Sequence, residues 1–250
     1  MKKLLVILLL IGTCINPTHA KVQAGIGIKV GPTFGRWNND LIKNSKLATA
    51  GGTVAYLPGL NAGIQARLWF NKFVGLKLDA EFNMSGSKFV KTTGTTIVTL
   101  KHRENQVTIP LTVLIGWGNE RLRIYAQGGG YFGYIFNGKD NIEVNNDGSI
   151  SSTGFEKANY DSTYQNLDAG VRFGGGIQVY VDKKLKHSIS MDITYDMGFL
   201  KTFRNDEPAY FGDPTKVDIS NSKILLSIGY VYNFGKSQAE EAPIRDVNPK

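Results

Sequence analysis

Apolar and polar residues alternate along most of the chain, with the period of two that is typical of β-strands. The stretch GIQARLWFNKFVGLKLDAEF (63–82) shows this pattern twice, with charges such as Arg67, Lys77 and Asp79 on the face opposite the apolar residues. The same alternation recurs in six further stretches, which begin near Val22, Val107, Leu122, Leu167, Ile189 and Ile224. We therefore predict eight β-strands and no helix in the mature chain.

The connections between the predicted strands alternate in length. Three are short turns, at 71–73, 118–121 and 182–186, and four are long, at 32–58, 86–104, 137–164 and 201–221. Successive connections of an antiparallel meander lie at opposite ends of the sheet, so the short turns share one end and the long loops share the other. This is the arrangement of outer-membrane barrels, with periplasmic turns and extracellular loops. An even strand count also brings both termini to the periplasmic end.

The apolar face has the length and the aromatic content of a surface that contacts lipid. A tilted strand needs ~9–11 residues to cross a membrane, whereas an average strand has only ~5–6. Aromatic residues lie near the strand ends, as in interfacial girdles: Phe70, Phe73, Trp117, Phe132, Phe136, Phe199, Tyr232 and Phe234. Only a closed sheet satisfies its backbone groups in hydrocarbon. We therefore predict an all-β fold, an eight-stranded antiparallel up-and-down transmembrane β-barrel of the small OmpA/OmpX type, with its apolar face outside.

The first 20 residues have the layout of a secretory signal peptide. Two lysines precede an apolar run over 4–11, which is too short to span a membrane, and small Ala20 offers a cleavage site. The single cysteine, Cys14, lies inside this segment, and its lipidation is the alternative, although Thr13 matches a lipidation motif poorly. We predict a signal peptide over 1–20, the barrel over 21–236 and a flexible periplasmic tail over 237–250.

The net charge of the chain is basic. Removal of the signal peptide takes away two lysines and no acid, so the formal charge falls from +8 to +6. Such a balance can indicate nucleic acid or anionic lipid as a partner. Here the basic residues are scattered singly along the alternating strands. We predict outer-membrane lipid as the partner, with extracellular or envelope proteins as further candidates, and no nucleic acid.

The polar face of the strands concentrates the charge of the mature chain. Six cations and five anions share it: Lys29, Arg67, Lys77, Arg123, Arg172 and Lys223, with Asp79, Glu81, Asp168, Asp192 and Asp196. These side chains could line a permeation path, or they could pair in a salt-bridged core. Because side chains just fill the interior of an eight-stranded barrel, we expect a paired lumen that is plugged by charge.

Catalytic residues are sparse. His102, in a long loop, and His187, beside a short turn, are predicted to lie at opposite ends of the barrel, so they cannot share a site. His102 at the outer rim could serve a membrane protease or acyltransferase, but no acid is tied to it by spacing. We therefore predict that the chain is not an enzyme and uses no cofactor and no metal.

Glycine-rich and calcium-like stretches have structural interpretations. The GGG runs at 128–130 and 174–176 lie mid-strand with no helix after them, so they indicate bending or close packing instead of a phosphate-binding loop. Residues 145–148 lack the downstream glutamate of a calcium loop. We predict instead a hairpin turn that joins 142–144 to 149–150.

Specific recognition is expected in the long loops, because the wall and the lumen serve the structure. Candidate surface contacts in these loops follow no strand alternation: Trp37, Asp40, His102, Tyr160, Arg204, Tyr210 and Phe211. The alternative is that the loops are solvated connections. The expected function is a non-enzymatic barrel, structural or displaying loops for binding. A porin-like conduit for small solutes or ions, or an accessory factor in outer-membrane secretion, is the alternative.

Four stretches resemble the eight-stranded outer-membrane β-barrel proteins of the Bacteroidetes, often called PorT-like or outer membrane protein beta-barrel domain proteins. They are GIKVGPTFG (27–35), LNAGIQARLWFNKFVGLKLDAEFNMSGSK (60–88), VTIPLTVLIGWGNERLRIYAQGGGYFGYIF (107–136) and ILLSIGYVYNFGK (224–236). The resemblance covers nearly the whole mature chain, and the tail after Phe234 departs from it. It implies a location in the outer membrane of a Gram-negative envelope. Because these stretches are mostly wall residues, the role of the family's namesake in type IX secretion is not carried over.

Overall fold

Eight long antiparallel strands form the wall of the protein in a computed structural model, which describes residues 22–37, 52–119, 121–154, 156–157, 165–200 and 220–234. The wall strands are β1 (Gln23–Trp37), β2 (Gly52–Trp69), β3 (Val74–Thr93), β4 (Thr96–Gly118), β5 (Leu122–Asn146), β8 (Leu167–Tyr180), β9 (His187–Gly198) and β10 (Asn221–Phe234). Two short strands, β6 (Ser149–Ser152) and β7 (Glu156–Lys157), pair with β5. The predicted all-β antiparallel fold is confirmed.

The wall closes on itself. Each wall strand pairs with the next along the chain, and β1 also pairs with β10, where Ala24 lies opposite Phe234. Gln23 lies opposite Trp69, so both ends of the wall lie beside the short turn at 70–73. A closed wall has no unpaired edge, as a sheet in hydrocarbon requires.

The described residues contain no helix long and apolar enough to cross a membrane.

The short turns are each closed by an Asn or Asp side chain. Asn71 Oδ1 accepts a hydrogen bond from the backbone N–H of Val74 at 2.7 Å. Asn119 and Asp182 accept equivalent bonds in the other two turns. A side-chain oxygen that satisfies backbone donors stabilises a tight turn without further residues.

A band of exposed apolar side chains surrounds the middle of the wall. On β4 this lipid-facing band runs over alternate residues from Val107 to Trp117, which are 43% and 55% exposed. The residues between them, such as Thr108 and Thr112, are buried inside the barrel. The apolar face is therefore outside, as the sequence predicts for a membrane barrel.

Three wall strands continue far beyond the lipid-facing band, at the end opposite Gln23 and Phe234. β3 runs to Thr93 and β4 begins at Thr96, and the turn between them contains Gly94 with a positive φ of 60°. The predicted long loop at 86–104 is therefore wrong, and β5 replaces the first part of the loop predicted at 137–164. Beyond the band the outward face becomes polar, as at Arg103 and Asn105. The apolar alternation ends there, although backbone pairing continues.

Other strands are also longer than the sequence predicts. β1 extends to Trp37 and β2 begins at Gly52, so both reach into the predicted loop at 32–58. The predicted hairpin at 142–150 is confirmed, with Asn146 opposite Ser149. Its turn residues Asp147 and Gly148 have positive φ angles of 50° and 87°.

Candidate functional site

The inward face of the wall brings most of the predicted lumen charges together. Ten of the eleven are at most 6% exposed: Lys29, Arg67, Lys77, Asp79, Glu81, Asp168, Arg172, Asp192, Asp196 and Lys223. The eleventh, Arg123, is partly exposed at the end with the short turns. Its guanidinium carbon lies 4.2 Å from the centre of the Trp69 ring.

An arginine-centred cluster crosses the middle of the lumen. Arg172 on β8 donates hydrogen bonds to Glu81 on β3 at 2.9 Å and to Asp196 on β9 at 2.7 Å. Lys29 on β1 lies 2.6 Å from Asp79 and also contacts Glu81. The planar guanidinium matches both carboxylates, so the buried charges are paired and hydrogen-bonded. The cluster ties four wall strands together through the interior.

A second cluster lies nearer the short turns and joins opposite walls. Lys77 Nζ on β3 lies 3.2 Å from Asp192 Oδ1 on β9, and these strands are four places apart around the eight-stranded wall. Arg67 Nη2 lies 3.0 Å from Asp192 Oδ2, and Tyr125 donates a hydrogen bond to the same carboxylate at 2.5 Å. This side-chain contact spans the full width of the lumen at this level.

Apolar side chains are buried inside the lumen near the end with the short turns. Trp69, Leu114 and Tyr125 are each at most 2% exposed and form one buried cluster. The rings of Trp69 and Tyr125 meet edge to face, with centroids 6.1 Å apart. Apolar residues at these inward positions interrupt the polar pattern of the lumen near the short turns.

A third cluster lies toward the opposite end and includes a residue that the sequence analysis missed. Lys223 Nζ lies 3.0 Å from Asp168 and 3.5 Å from Glu104. Tyr131 donates a hydrogen bond to Asp168 at 3.2 Å, and Ser85 donates one to Glu104 at 3.0 Å. The sequence pattern places Glu104 at the end of the predicted loop at 86–104, but in the structure Glu104 continues the inward register of Thr108 by steps of two. This alternation is the feature of the sequence that predicts an inward position for Glu104.

His102 lies beside this cluster, beyond the lipid-facing band. It is 1% exposed, and its Nδ1 lies 2.6 Å from Asp140 Oδ1, because the two residues face each other across β4 and β5. Its Nε2 lies 3.8 Å from Glu104 Oε2, and its ring centroid is 5.8 Å from that of Trp37. The sequence alone predicts no acidic partner for His102, because Asp140 is 38 residues away along the chain and meets His102 only through the pairing of β4 with β5.

The charge state of His102 follows from these two carboxylates. Burial alone would lower its pKa, but the hydrogen bond with Asp140 and the negative charges of Asp140 and Glu104 raise the pKa of His102 to about 9. Burial alone would raise the pKa of Glu104, but the positive charges of Lys223 and His102 lower it to about 2. At neutral pH the imidazole is therefore protonated and cannot act as a general base. Among the described residues no group of three or more His, Cys, Asp or Glu could hold a metal ion.

Two predicted surface contacts are buried instead. Trp37, the last residue of β1, and His102 on β4 are each 1% exposed. Both occupy inward positions on strands that continue beyond the lipid-facing band. His187 begins β9 at the other end and contacts the Tyr230 hydroxyl. The remaining predicted contacts lie outside the described residues, as do the predicted signal peptide (1–20) and tail (237–250): Asp40, Tyr160, Arg204, Tyr210 and Phe211.

A row of amide side chains crosses three neighbouring strands inside the lumen. Asn61 faces Asn83 in register, and Asn83 faces Gln106. All three are at most 1% exposed, and their side-chain oxygens accept no hydrogen bond within the described part of the chain. Buried acceptors are normally satisfied. The row therefore offers sites to water or to a small polar solute.

The chain is similar to known outer-membrane barrels. A family model described as "Outer membrane protein beta-barrel domain" matches residues 19–204. Among solved structures, Ail of Yersinia pestis is 14% identical, with 84% of this chain and 99% of that chain covered and a TM-score of 0.35. OprG of Pseudomonas aeruginosa is 12% identical, with 86% and 97% covered and a TM-score of 0.47. The outer membrane protease OmpT of Escherichia coli is 8% identical, with 87% and 98% covered and a TM-score of 0.45. No curated protein matches the chain.

Proposed function

Because the chain belongs to the outer membrane protein beta-barrel domain family, we propose that it is a non-enzymatic barrel with a closed lumen that presents a binding surface at its outer end. The family makes it an integral β-barrel of the bacterial outer membrane. In this proposal the end with the termini and the short turns faces the periplasm. The extended strands then project outward from the cell, as in barrels with short periplasmic turns.

The observation that carries the proposal is the pairing of buried charges across the lumen. The Lys77–Asp192 contact at 3.2 Å joins opposite walls, and Arg172 bridges Glu81 and Asp196 one level away. Separating the two partners of such a pair leaves a buried charge without its counter-charge, which costs ~3–5 kcal/mol of free energy. An open path through the barrel would need several such separations. A closed interior therefore favours a role for the outside of the molecule.

The outer end is the surface left for recognition. The band contacts lipid and the lumen pairs its own charges, whereas the β3–β4 and β5–β6 hairpins project beyond the band. The connections at 38–51 and 201–219 join strands at this same end. Loops on a rigid scaffold are where binding residues concentrate.

Conductance tests the closed lumen. Purified protein in planar bilayers is expected to show little or no steady current, whereas an open porin in the same bilayers conducts and serves as the control. Folded protein is identified beforehand by its heat-modifiable migration on gels. Large, steady, ion-selective currents from the folded protein would contradict the plug.

Loop trimming tests the display role. Shortening the connections at 38–51 and 201–219 is expected to leave heat-modifiable migration intact and to abolish binding of partners that the full chain retains from native outer membranes. Loss of folding on trimming would show that these connections belong to the barrel core, and the display role would fail.

A conduit for small polar solutes is the second candidate, and the amide row favours it. Asn61, Asn83 and Gln106 present acceptors that water or a small solute could use. Swelling of protein-containing liposomes in isotonic sugars of increasing size measures such passage. In a conduit, Asn83→Leu slows swelling relative to the wild type; in a plugged barrel neither protein swells the liposomes.

A further inference from the structure

A groove opens on the outer surface of β3, β4 and β5, just beyond the lipid-facing band. It has a volume of about 310 Å³ and is lined by Met84, Arg103, Asn105, Asn137, Gly138 and Lys139. The register of β4 and β5 shifts at Asn105 and Gln106, so the wall is irregular at the groove. Bulges of this kind re-aim side chains at the rims of barrels.

Cations face each other across the strands around this groove. Arg103 lies directly opposite Lys139, and Lys88 lies directly opposite Lys101. Cβ atoms at such positions are about 5 Å apart, and like charges there destabilise a sheet. We name these four residues the outer basic patch.

Only part of this charge is neutralised nearby. Glu143 lies 2.9 Å from Lys101. Within the described residues no carboxylate lies within ion-pair distance of Lys88 or Lys139. The ammonium groups of Lys88 and Lys139 are therefore positioned to attract an anionic ligand.

The position of the outer basic patch along the barrel axis indicates which layer of the membrane surrounds it. The rings of Phe82 and Phe136 face outward at the edge of the band, with centroids 6.0 Å apart. Lys139 follows Phe136 by three residues, which is about 10 Å along a strand and less in height, because barrel strands tilt. The interfacial layer of a bilayer extends about 5–7 Å beyond its hydrocarbon core. The groove therefore lies at the level of lipid headgroups and is continuous with the lipid-facing band.

We propose that the outer basic patch binds the phosphate of an anionic lipid headgroup in the leaflet that surrounds this end of the barrel. The Arg103 fork and the Lys139 ammonium contact the phosphate oxygens. The amides of Asn105 and Asn137 contact headgroup hydroxyls, and Met84 contacts the first carbons of the acyl chains. The patch makes the barrel a lipid-selective anchor, independently of whether the lumen is closed.

Lipid binding by the protein in neutral detergent tests this site. The probe is lipid A, a diphosphorylated glucosamine lipid, and its affinity is measured by native mass spectrometry against the dephosphorylated lipid and against inorganic phosphate. The variant K88Q/K139Q removes two outward charges that have no ion pair within the described part of the chain. K183Q/K184Q removes two exposed lysines from the β8–β9 turn at the other end and is the matched control.

The wild type and K183Q/K184Q are expected to prefer the phosphorylated lipid. Each charge near a membrane surface is worth about fivefold in binding, so K88Q/K139Q is expected to lose roughly thirtyfold. Equal affinity of all three proteins, or equal binding of the dephosphorylated lipid, would overturn the proposal. Competition by inorganic phosphate at matched concentration would assign the site to free phosphate and overturn the lipid assignment. If K88Q/K139Q does not fold, K139Q alone, on an exposed side chain, is expected to lose about fivefold.

Discussion

At the scale of single residues, Arg172 joins carboxylates on opposite sides of its own strand inside the lumen. Its guanidinium donates to carboxylates of two different strands, Glu81 on β3 and Asp196 on β9. Without the guanidinium, each of these buried carboxylates would lose its principal partner. The bridge therefore holds the wall together from the inside.

Arg172→Ala is expected to reduce the free energy of unfolding by ~3–5 kcal/mol, because it leaves buried carboxylates without a counter-charge. Urea titration in lipid vesicles, followed by tryptophan fluorescence, measures the change. Lys184→Ala in an exposed turn is the control and is expected to change stability by less than about 0.5 kcal/mol. A loss below about 1 kcal/mol for Arg172→Ala would mean that water reaches and screens the carboxylates.

His102 makes the stability of the outer extension depend on pH. The pKa of His102 in the folded protein, about 9, lies above its ordinary value of 6.5. Its contribution is therefore fully present below pH 6.5 and is lost as the pH rises through about 9. Glu104 acts in the opposite sense: its pKa is lowered to about 2, so its contribution is present above pH 4.5 and is lost as the pH falls through about 2.

The variant His102→Gln is expected to be less stable than the wild type at pH 6, with the difference shrinking steadily toward pH 10. Urea titrations of both proteins at pH 6, 8 and 10 measure this difference. The variant lacks the titrating imidazole and is thus its own control for pH effects elsewhere. A difference that does not change over this range would show that folding leaves the pKa of His102 unchanged.

At the scale of the strand, the sequence was informative only where the two faces meet different surroundings. Between Val107 and Trp117 one face meets lipid and the other the lumen, so the alternation predicted β4 correctly there. From Thr96 to Gln106 both faces carry polar residues, and the strand was predicted as a loop. Asp140 and Glu104 were missed as lumen partners for the same reason, whereas Arg172 and Asp192 lie on strands with clear alternation.

The glycine runs act through the spacing between neighbouring strands. A Cβ added at Gly129 would lie 2.0 Å from the backbone oxygen of Leu111, and one at Gly174 would lie 2.1 Å from that of Ile193. A Cβ added at Gly128 would meet nothing within 4 Å. The predicted close packing is thus confirmed at Gly129 and Gly174, but it does not extend to every member of the runs.

Gly129→Ala is expected to reduce stability by ~1–3 kcal/mol or to prevent folding, because a backbone atom cannot move aside without disturbing the β4–β5 pairing. Gly128→Ala, one residue away on the same strand, is the matched control and is expected to behave like the wild type. Heat-modifiable migration and urea titration measure both. Equal tolerance of the two substitutions would show that the wall can widen locally at β4.

At the scale of the whole molecule, the two ends of the barrel differ in construction. At the end with the short turns, apolar side chains around Trp69 and Leu114 are buried inside the lumen. The opposite end is built of paired strands that carry polar residues on both faces, such as Arg103 outside and His102 inside. An extended end with polar residues on both faces is compatible with exposure to solvent outside the cell.

Site-directed labelling tests this orientation. Cys14, the one cysteine of the chain, lies in the predicted signal peptide, so the mature protein is expected to provide a cysteine-free background. Asn145→Cys, beside the β5–β6 turn, is expected to react with a membrane-impermeant maleimide in intact cells, because that hairpin belongs to the extended end. Lys183→Cys, in the exposed β8–β9 turn, is expected to react only after permeabilisation. The unsubstituted protein controls for background labelling, and equal labelling of both cysteines in intact cells would rule out a barrel with one fixed orientation.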